Sequence, residues 1–266
     1  MKHLINIYFN DNLKSTETFL KTKKLLEQKG FEVCTDFNKK AELNICIGGD
    51  GSFIRGVHGS DFSSIPFVGV NTGTLGFFQE INFEHIEKFI DDYINKKYFV
   101  EKMRLLECEM RTKDIVFSDK CLNEFVIKSN NSEIIHLEIY IDGNLLETFA
   151  GDGLIISTPS GSTAYNMSAG GSIMYPTLKG YQLTPLAPIF SKVYRSISNS
   201  IVIPNTSVLK IVPIEDSHKK ISFIKDGIEN EYKDISYFEF KKSKTMLYKL
   251  IFNENWYWIN MRDKFL

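Results

Sequence analysis

Leu43-Asn44-Ile45-Cys46-Ile47-Gly48-Gly49-Asp50-Gly51-Ser52-Phe53-Ile54 reads as a short apolar strand that ends in a glycine-rich turn and passes at once into a helix. A compact apolar run closed by turn residues suits a strand buried on both faces, as in a parallel sheet covered by helices. The glycines let backbone N–H groups approach an anion closely, and the start of a helix over residues 52–58 favours negative charge. Asp50 is the unexpected residue in such a turn. A carboxylate there is repelled by a phosphate unless it binds a metal ion or accepts a proton from an attacking hydroxyl. The same tetrapeptide also reads as a plain strand-to-helix turn with Asp50 as its N-cap. It is not a dinucleotide fingerprint, because the third glycine of G-x-G-x-x-G is missing, nor a Walker A loop, which requires G-K-[ST].

On the N-terminal side, residues 4–9 read as a strand and residues 15–29 as a helix, with Ser15 as its cap, Glu17 at its positive end and Gly30 at its C-terminal left-handed position. On the other side, residues 66–70 form a second buried strand ending in Asn71-Thr72-Gly73-Thr74-Leu75-Gly76-Phe77-Phe78, where open α/β sheets place ligands. Phe77 could cover an adenine or nicotinamide ring, or it could be a core aromatic like Phe78. Phe83, Ile86, Phe89, Ile90, Tyr93 and Ile94 recur at helical spacing, which predicts a helix over 82–96 with one apolar face.

Beyond about residue 100 the period becomes two. Ile135, Leu137, Ile139 and Ile141 alternate with His136, Glu138 and Tyr140, and Asp142-Gly143 then supplies a type I′ turn. Further strands are expected at 154–156, 200–203, 208–212, 221–224 and 246–252, with a second Asp-Gly turn at Asp226-Gly227. Trp258, Ile259, Met261 and Phe265 form a terminal apolar cluster. The expected fold is α/β plus β: a Rossmann-like α/β domain over residues 1–100, onto which 253–266 packs back, and a β-rich, β-sandwich-like domain over 101–252.

The bulk properties exclude several classes. The 266 residues are 43% hydrophobic and 24% charged with a formal net charge of -1, which is the balance of a compact protein. Lysine pairs such as Lys23-Lys24 and Lys96-Lys97 are scattered, so nucleic acid is not an expected partner. Cys34, Cys46, Cys108 and Cys121 have no metal-ligand spacing and read as buried thiols of a reducing compartment. No apolar window reaches about 18 residues and no signal segment opens the chain, so no membrane partner and a cytoplasmic location are expected.

Two more stretches can carry chemistry. Asn123-Glu124 lies within a strand-like run over 121–127; its amide and carboxylate can bond neighbouring ribose hydroxyls, or can simply be a solvated edge. The longer stretch is Gly151-Asp152-Gly153-Leu154-Ile155-Ile156-Ser157-Thr158-Pro159-Ser160-Gly161-Ser162-Thr163-Ala164-Tyr165-Asn166-Met167-Ser168-Ala169-Gly170-Gly171. Its small and polar residues surround a buried strand, which suits a rigid hydrogen-bonding surface for a polar ligand, although such clusters also mark exposed loops. No G-x-S-x-G pentapeptide occurs, which disfavours a serine nucleophile.

These four stretches, in this order, resemble the NAD kinase family, and the resemblance spans residues 43–204. The G-G-D-G turn alone is shared with diacylglycerol and sphingosine kinases and phosphofructokinases; residues 151–171 are the most specific element. The resemblance implies an ATP-dependent kinase of NAD with a divalent cation such as magnesium as cofactor and a substrate cleft between two domains. It implies Asp50 as the catalytic base or magnesium-linked group, Gly51 beside the phosphates, Phe77 at the adenine, Asn123 and Glu124 on the adenosine ribose, and Asp152 at the nicotinamide end. Thr163, Ala164, Tyr165 and Ser168 would line the nucleotide pocket, with Arg55, Ala150, Asn166, Met167 and Ala187 also counted as nucleotide-binding. No protein side chain is assigned to the metal beyond Asp50. Many relatives place a glutamine after the later Asp-Gly turn, where this chain has Ile228. The absence of a long N-terminal extension matches compact bacterial forms, which assemble as dimers or tetramers and complete each site across subunits. A lipid or sugar kinase sharing the turn, and a non-catalytic NAD(P)-binding regulator, are the alternative readings.

Overall fold

The computed structural model describes residues 3–73, 76–130, 133–189, 196–214 and 220–265; Thr74 and Leu75 of the second ligand-facing turn lie outside them. The chain divides into two compact units, Met1–Met103 with Thr245–Leu266, and Arg104–Lys244.

In the first unit the chain runs β1 (His3–Phe9), α1 (Leu13–Gln28), β2 (Phe31–Cys34), β3 (Leu43–Gly48), α2 (Asp50–Gly59), β4 (Phe67–Asn71), a short β5 (Ile81–Asn82), a 3-10 turn over Phe83–His85 and α3 (Ile86–Ile94). Strands β2, β1, β3, β4 and β5 pair in that order, all parallel. Every residue of β3 is buried, as the apolar run requires. Ile5, Ile7, Leu43, Ile45, Val68 and Val70 meet Phe19 and Leu26 of α1 and Ile86, Phe89 and Ile90 of α3 in one core.

The cap of α1 differs from the expectation. Asn12, not Ser15, is the N-cap, its side chain accepting the Ser15 N–H at 2.9 Å. Ser15 lies inside the first turn, where its hydroxyl bonds Thr72 Oγ1 at 2.9 Å instead. Gly30 does take a left-handed φ of 88° just beyond the helix.

The second unit is built from β6 (Phe99–Thr112), β7 (Val116–Cys121), β8 (Glu124–Ser129), β9 (Ile135–Ile141), β10 (Asn144–Gly151), β11 (Gly153–Ser157), a one-turn α4 (Tyr165–Ser168), β12 (Gly180–Leu186), β13 (Ile201–Pro204), β14 (Leu209–Pro213), β15 (Ile221–Lys225), β16 (Ile228–Tyr232) and β17 (Ile235–Ile251). Strands β6 and β17 extend beyond the unit's limits into the residues of the first unit, where Lys249 of β17 pairs with Phe67. One antiparallel sheet has the order β10-β9-β14-β17, with β6 on β17 and β7 on β6; the other has the order β13-β12-β11-β8-β15-β16. Leu137, Ile139, Phe238 and Phe240 of the first and Phe125, Ile156, Leu183 and Phe223 of the second share one core. Both Asp-Gly turns close hairpins with positive φ at the two central residues, 51° and 80° at Asp142-Gly143 and 46° and 85° at Asp226-Gly227.

The strand over 246–252 is the end of the 17-residue β17. Lys241, Lys242 and Lys244 interrupt the apolar pattern at its middle, so the sequence does not join 235–240 to 246–252. The run over 121–127 also differs: it breaks at Leu122-Asn123 into β7 and β8. Three of the cysteines are buried and Cys34 is half-buried; all four are free thiols. The terminal segment is a helix, α5 (Trp256–Phe265), but the expected apolar cluster is not its buried face: Trp258 is 61% exposed, and the buried residue is Asn260. Among the described residues no helix is long and apolar enough to cross a membrane.

Asn12→Ala should cost about 1 kcal/mol of unfolding free energy and Asn12→Gly only a few tenths, measured by denaturant titration; equal losses for both would show that the cap bond is not what holds the first turn.

Candidate active site

The first unit presents Asp50. Strand β3 leaves the sheet at Gly48 with φ 142°, where a Cβ would stand 2.4 Å from Ser52 Oγ and 2.7 Å from Asn10 Nδ2, so only glycine fits. Gly49 is the N-cap of α2, and Asp50 is its first residue rather than the cap. The Asp50 carboxylate instead accepts the backbone N–H of Phe77 on Oδ2 and of Phe78 on Oδ1, both at 2.9 Å. A Cβ at Gly76 would come within 2.2 Å of Oδ1, so the glycine lets the loop close onto the carboxylate. Asn260, fully buried on α5, fixes the same loop by donating Nδ2 to Gly76 O at 2.8 Å.

Around this centre, Phe78 is buried and stacks on Phe53 with centroids 4.8 Å apart. The Phe77 ring packs on α5, with Lys264 Nζ 4.5 Å from its centroid and Phe265 at 5.8 Å. Gly51 is exposed, and exposed Arg55 donates to Asn10 Oδ1.

The second unit presents Asn123 and Glu124 at a bend, held from outside the strand. The Asp226 carboxylate accepts three backbone N–H groups: Leu122 at 2.8 Å, Asn123 at 2.7 Å and Glu124 at 3.2 Å. Asn123 O accepts the Thr158 N–H at 2.8 Å, and a Cβ at Gly161 would lie 2.2 Å from that same oxygen. Both side chains are buried, 6% and 7% exposed, yet Asn123 Oδ1 and Glu124 Oε2 have no hydrogen-bond partner among the described residues. Leaving such an atom unpaired costs about 1–3 kcal/mol, a cost retained where a ligand supplies the partner. Burial, and secondarily the negative Asp226, push the Glu124 carboxyl up to about 8.

Residues 151–171 are a folded wall rather than a free loop. Gly153 lies against Ile127 O, where a Cβ would be at 2.2 Å. A 3-10 turn over Ser160–Thr163 leads into α4. Tyr165 is 46% exposed and Ser168 is exposed, while Thr163, Ala164 and Met167 are half-buried. Asn166 is different: it is fully buried, donates to Ser162 O and Ser172 O and accepts from Thr184 Oγ1 at 2.6 Å, so its polar atoms hold the wall together. Asp152 is exposed and its N–H is fixed on Leu186 O at 3.0 Å. Ala187, exposed with φ 41°, follows that strand, and Ala150 is buried with its N–H on Ser196 Oγ at 3.3 Å.

A family model described as the ATP-NAD kinase N-terminal domain matches residues 4–98, and one described as the ATP-NAD kinase C-terminal domain matches residues 122–251. An NAD kinase of Finegoldia magna is 52% identical over 267 residues, covering 99% of this chain and 98% of that protein. The chain belongs to the NAD kinase family. An NAD kinase of Staphylococcus aureus is 31% identical over 256 residues, covering 95% of this chain and 94% of that protein. Two solved NAD kinase relatives share the fold: yeast NADH kinase complexed with NADH, with TM-score 0.87 and 23% identity over 99% of this chain and 87% of the other, and an Archaeoglobus fulgidus NAD kinase in complex with ATP, with TM-score 0.76 and 20% identity over 98% and 99%. As an NAD kinase family member the chain is an enzyme, a kinase of NAD with ATP as donor.

Of the residues that the sequence singled out, Asp50, Gly51, Arg55 and Phe77 lie in the first unit and the rest in the second. Asp226 and Asn260 were missed as functional residues. Asp226 was legible only as a turn, and Asn260 was hidden in an apolar segment. Among the described residues no three His, Cys, Asp or Glu side chains converge to hold a metal ion. The donor set therefore fits a cation carried mainly by substrate phosphates, with at most one carboxylate such as Asp50 touching it.

The raised Glu124 makes the ligand-free protein pH-sensitive. As pH rises from near 4.5 to about 8, the unfolded chain releases this proton while the folded chain keeps it, so this group's contribution to stability falls across that window. Glu124→Gln should lose less stability than the wild type over the same range in denaturant melts; identical slopes would contradict the assignment.

Proposed function

We propose that this chain transfers the γ-phosphoryl group of ATP to the 2′-hydroxyl of the adenosine ribose of NAD, giving NADP and ADP, with Asp50 as the base. The observation that carries the reading is the Asn123–Glu124 bend, where two buried oxygens await polar partners on a fixed backbone. A ribose edge supplies suitable partners, since its hydroxyls can donate to Asn123 Oδ1 and to Glu124.

In the transfer, the 2′-oxygen forms a bond to the γ-phosphorus, the bond to the bridging oxygen of ADP breaks, and the hydroxyl proton passes to Asp50. Each Asp50 oxygen accepts one backbone N–H, which leaves lone-pair capacity on each and removes rotational freedom from the side chain. Asp50 is the residue that would contact a divalent cation, which would neutralise the triphosphate charge. The N–H groups at the start of α2, beside Gly51 and Arg55, suit the phosphates. Asp152 is assigned to the nicotinamide end, and Thr163, Ala164, Tyr165, Met167 and Ser168, with Ala150 and Ala187, to the nucleotide pocket; Asn166 acts from inside that wall. Phe77 is assigned to the adenine, beside the α5 residues that its ring packs against. The enzyme works in the cytoplasm as a dimer or tetramer, as the resemblance implies.

Incubation with NAD, ATP and magnesium should yield NADP, and Asp50→Asn should lower kcat by about 10²–10⁴-fold with NAD binding still measurable by calorimetry. The Asn amide would face one of the two loop N–H donors, so a modest loss of thermal stability is also expected. Near-normal turnover by Asp50→Asn would refute the role given to Asp50.

A further inference from the structure

We propose that Asp226 is a positioning residue for the substrate ribose: its carboxylate holds the backbone of Leu122, Asn123 and Glu124 so that the Asn123 and Glu124 side chains stay presented to the nucleotide. The inference rests on the ribose role given to that pair.

Every backbone polar group of the three residues is accounted for. Asp226 takes the three N–H groups, and the Asp226 N–H returns to Glu124 O at 3.1 Å. Thr158 takes the other two carbonyls, Leu122 O through Oγ1 at 2.6 Å and Asn123 O through its N–H at 2.8 Å. Leu122 and Asn123 thus lack sheet pairing and Glu124 opens β8 opposite Ser157, yet no backbone group of the three is free to drift. Its side-chain oxygens, by contrast, include two buried atoms without partners. A rigid backbone carrying unpaired tips is the arrangement expected of a ligand contact, not of a structural bend.

The type I′ turn does not itself require the charge. At a φ of 46°, Asn or Gly would serve the hairpin as well as Asp. An Asp in such a turn ordinarily bonds backbone groups about two residues on, whereas this carboxylate spans 102 to 104 positions to reach its three donors. A carboxylate can accept all three with charge assistance, while an amide in its place would turn an NH2 group toward one of them. Asp226 also sits beside Glu124, so its charge opposes ionisation of that carboxyl.

The test is steady-state kinetics of Asp226→Asn, Asp226→Glu and Glu124→Gln over about pH 6 to about pH 9.5, a window chosen around the titration range of a raised carboxyl. Glu124→Gln should raise the KM for NAD and identify the limb of the pH profile that belongs to Glu124. Asp226→Asn should raise the KM for NAD about tenfold, leave that for ATP within about twofold, and move the limb to lower pH because a like charge is gone. Asp226→Glu keeps the charge but displaces it, so the KM for NAD should rise with the limb near its wild-type pH. Should Asp226→Asn not fold, Asp226→Glu decides alone by the KM for NAD at unchanged KM for ATP. An Asp226 variant with a wild-type KM for NAD, or one that raises both KM values with the limb unmoved, overturns the proposal. A Glu124→Gln enzyme with a wild-type KM for NAD would instead overturn the ribose assignment.

Discussion

The candidate chemistry depends on carboxylates that accept backbone N–H groups where the chain has left regular structure. Asp50 receives two such groups from the Phe77-Phe78 loop, and Asp226 receives three from the Leu122-Asn123-Glu124 bend. Charge-assisted bonds of this kind are roughly twice as strong as neutral ones, and several together remove the freedom that a loop otherwise retains. In both cases a glycine is the complement. Gly76 admits the Asp50 oxygen and Gly161 admits Asn123 O, at distances where a Cβ would displace the carboxylate in the first case and the backbone in the second. These bonds tie Phe77-Phe78 and Leu122-Asn123-Glu124 to the residues that accept from them, which serves the positioning that a reacting hydroxyl needs.

The two units reach this rigidity differently. In the first, parallel strands end together, so the turns after β3 and β4 face the same edge and Asp50 meets the Phe77-Phe78 loop across adjacent strands. In the second, antiparallel strands β8, β11 and β15 lie side by side, which brings the β15–β16 turn beside the start of β8 despite the separation in sequence. Asp226 is where that adjacency becomes a hydrogen-bonded clamp. Buried aromatics beneath it, Phe125 stacked on Phe223 at 5.1 Å and Phe223 on Phe238 at 5.3 Å, keep the strands in register.

Periodicity made the cores legible. The apolar run of β3 and the alternation of Ile135, Leu137 and Ile139 each have one physical solution, burial on two faces or on one, and both Asp-Gly turns demanded positive φ that only a primed hairpin uses. The site was legible only as motifs. Nothing local to Cys121–Ser129 signals that the strand must break, because the cause is a carboxylate about a hundred residues later. Nothing near Ser15 signals that Asn12 takes the cap, since either side chain could, and Thr72 decides the matter by claiming the serine hydroxyl. Asn166 likewise reads as one more polar residue of a binding stretch, whereas tertiary packing turns all its polar atoms inward. Long-range hydrogen bonds, invisible to any local window, separate the residues that face a ligand from those that hold them.

The most direct measurement is a crystal structure of the protein with NAD and a non-hydrolysable ATP analogue. The adenosine ribose is expected on Asn123 Oδ1 and Glu124 Oε2, with the 2′-hydroxyl within hydrogen-bonding distance, about 2.6–3.2 Å, of an Asp50 oxygen. A ribose bound away from that bend, with Asn123 and Glu124 still unpartnered, would contradict it.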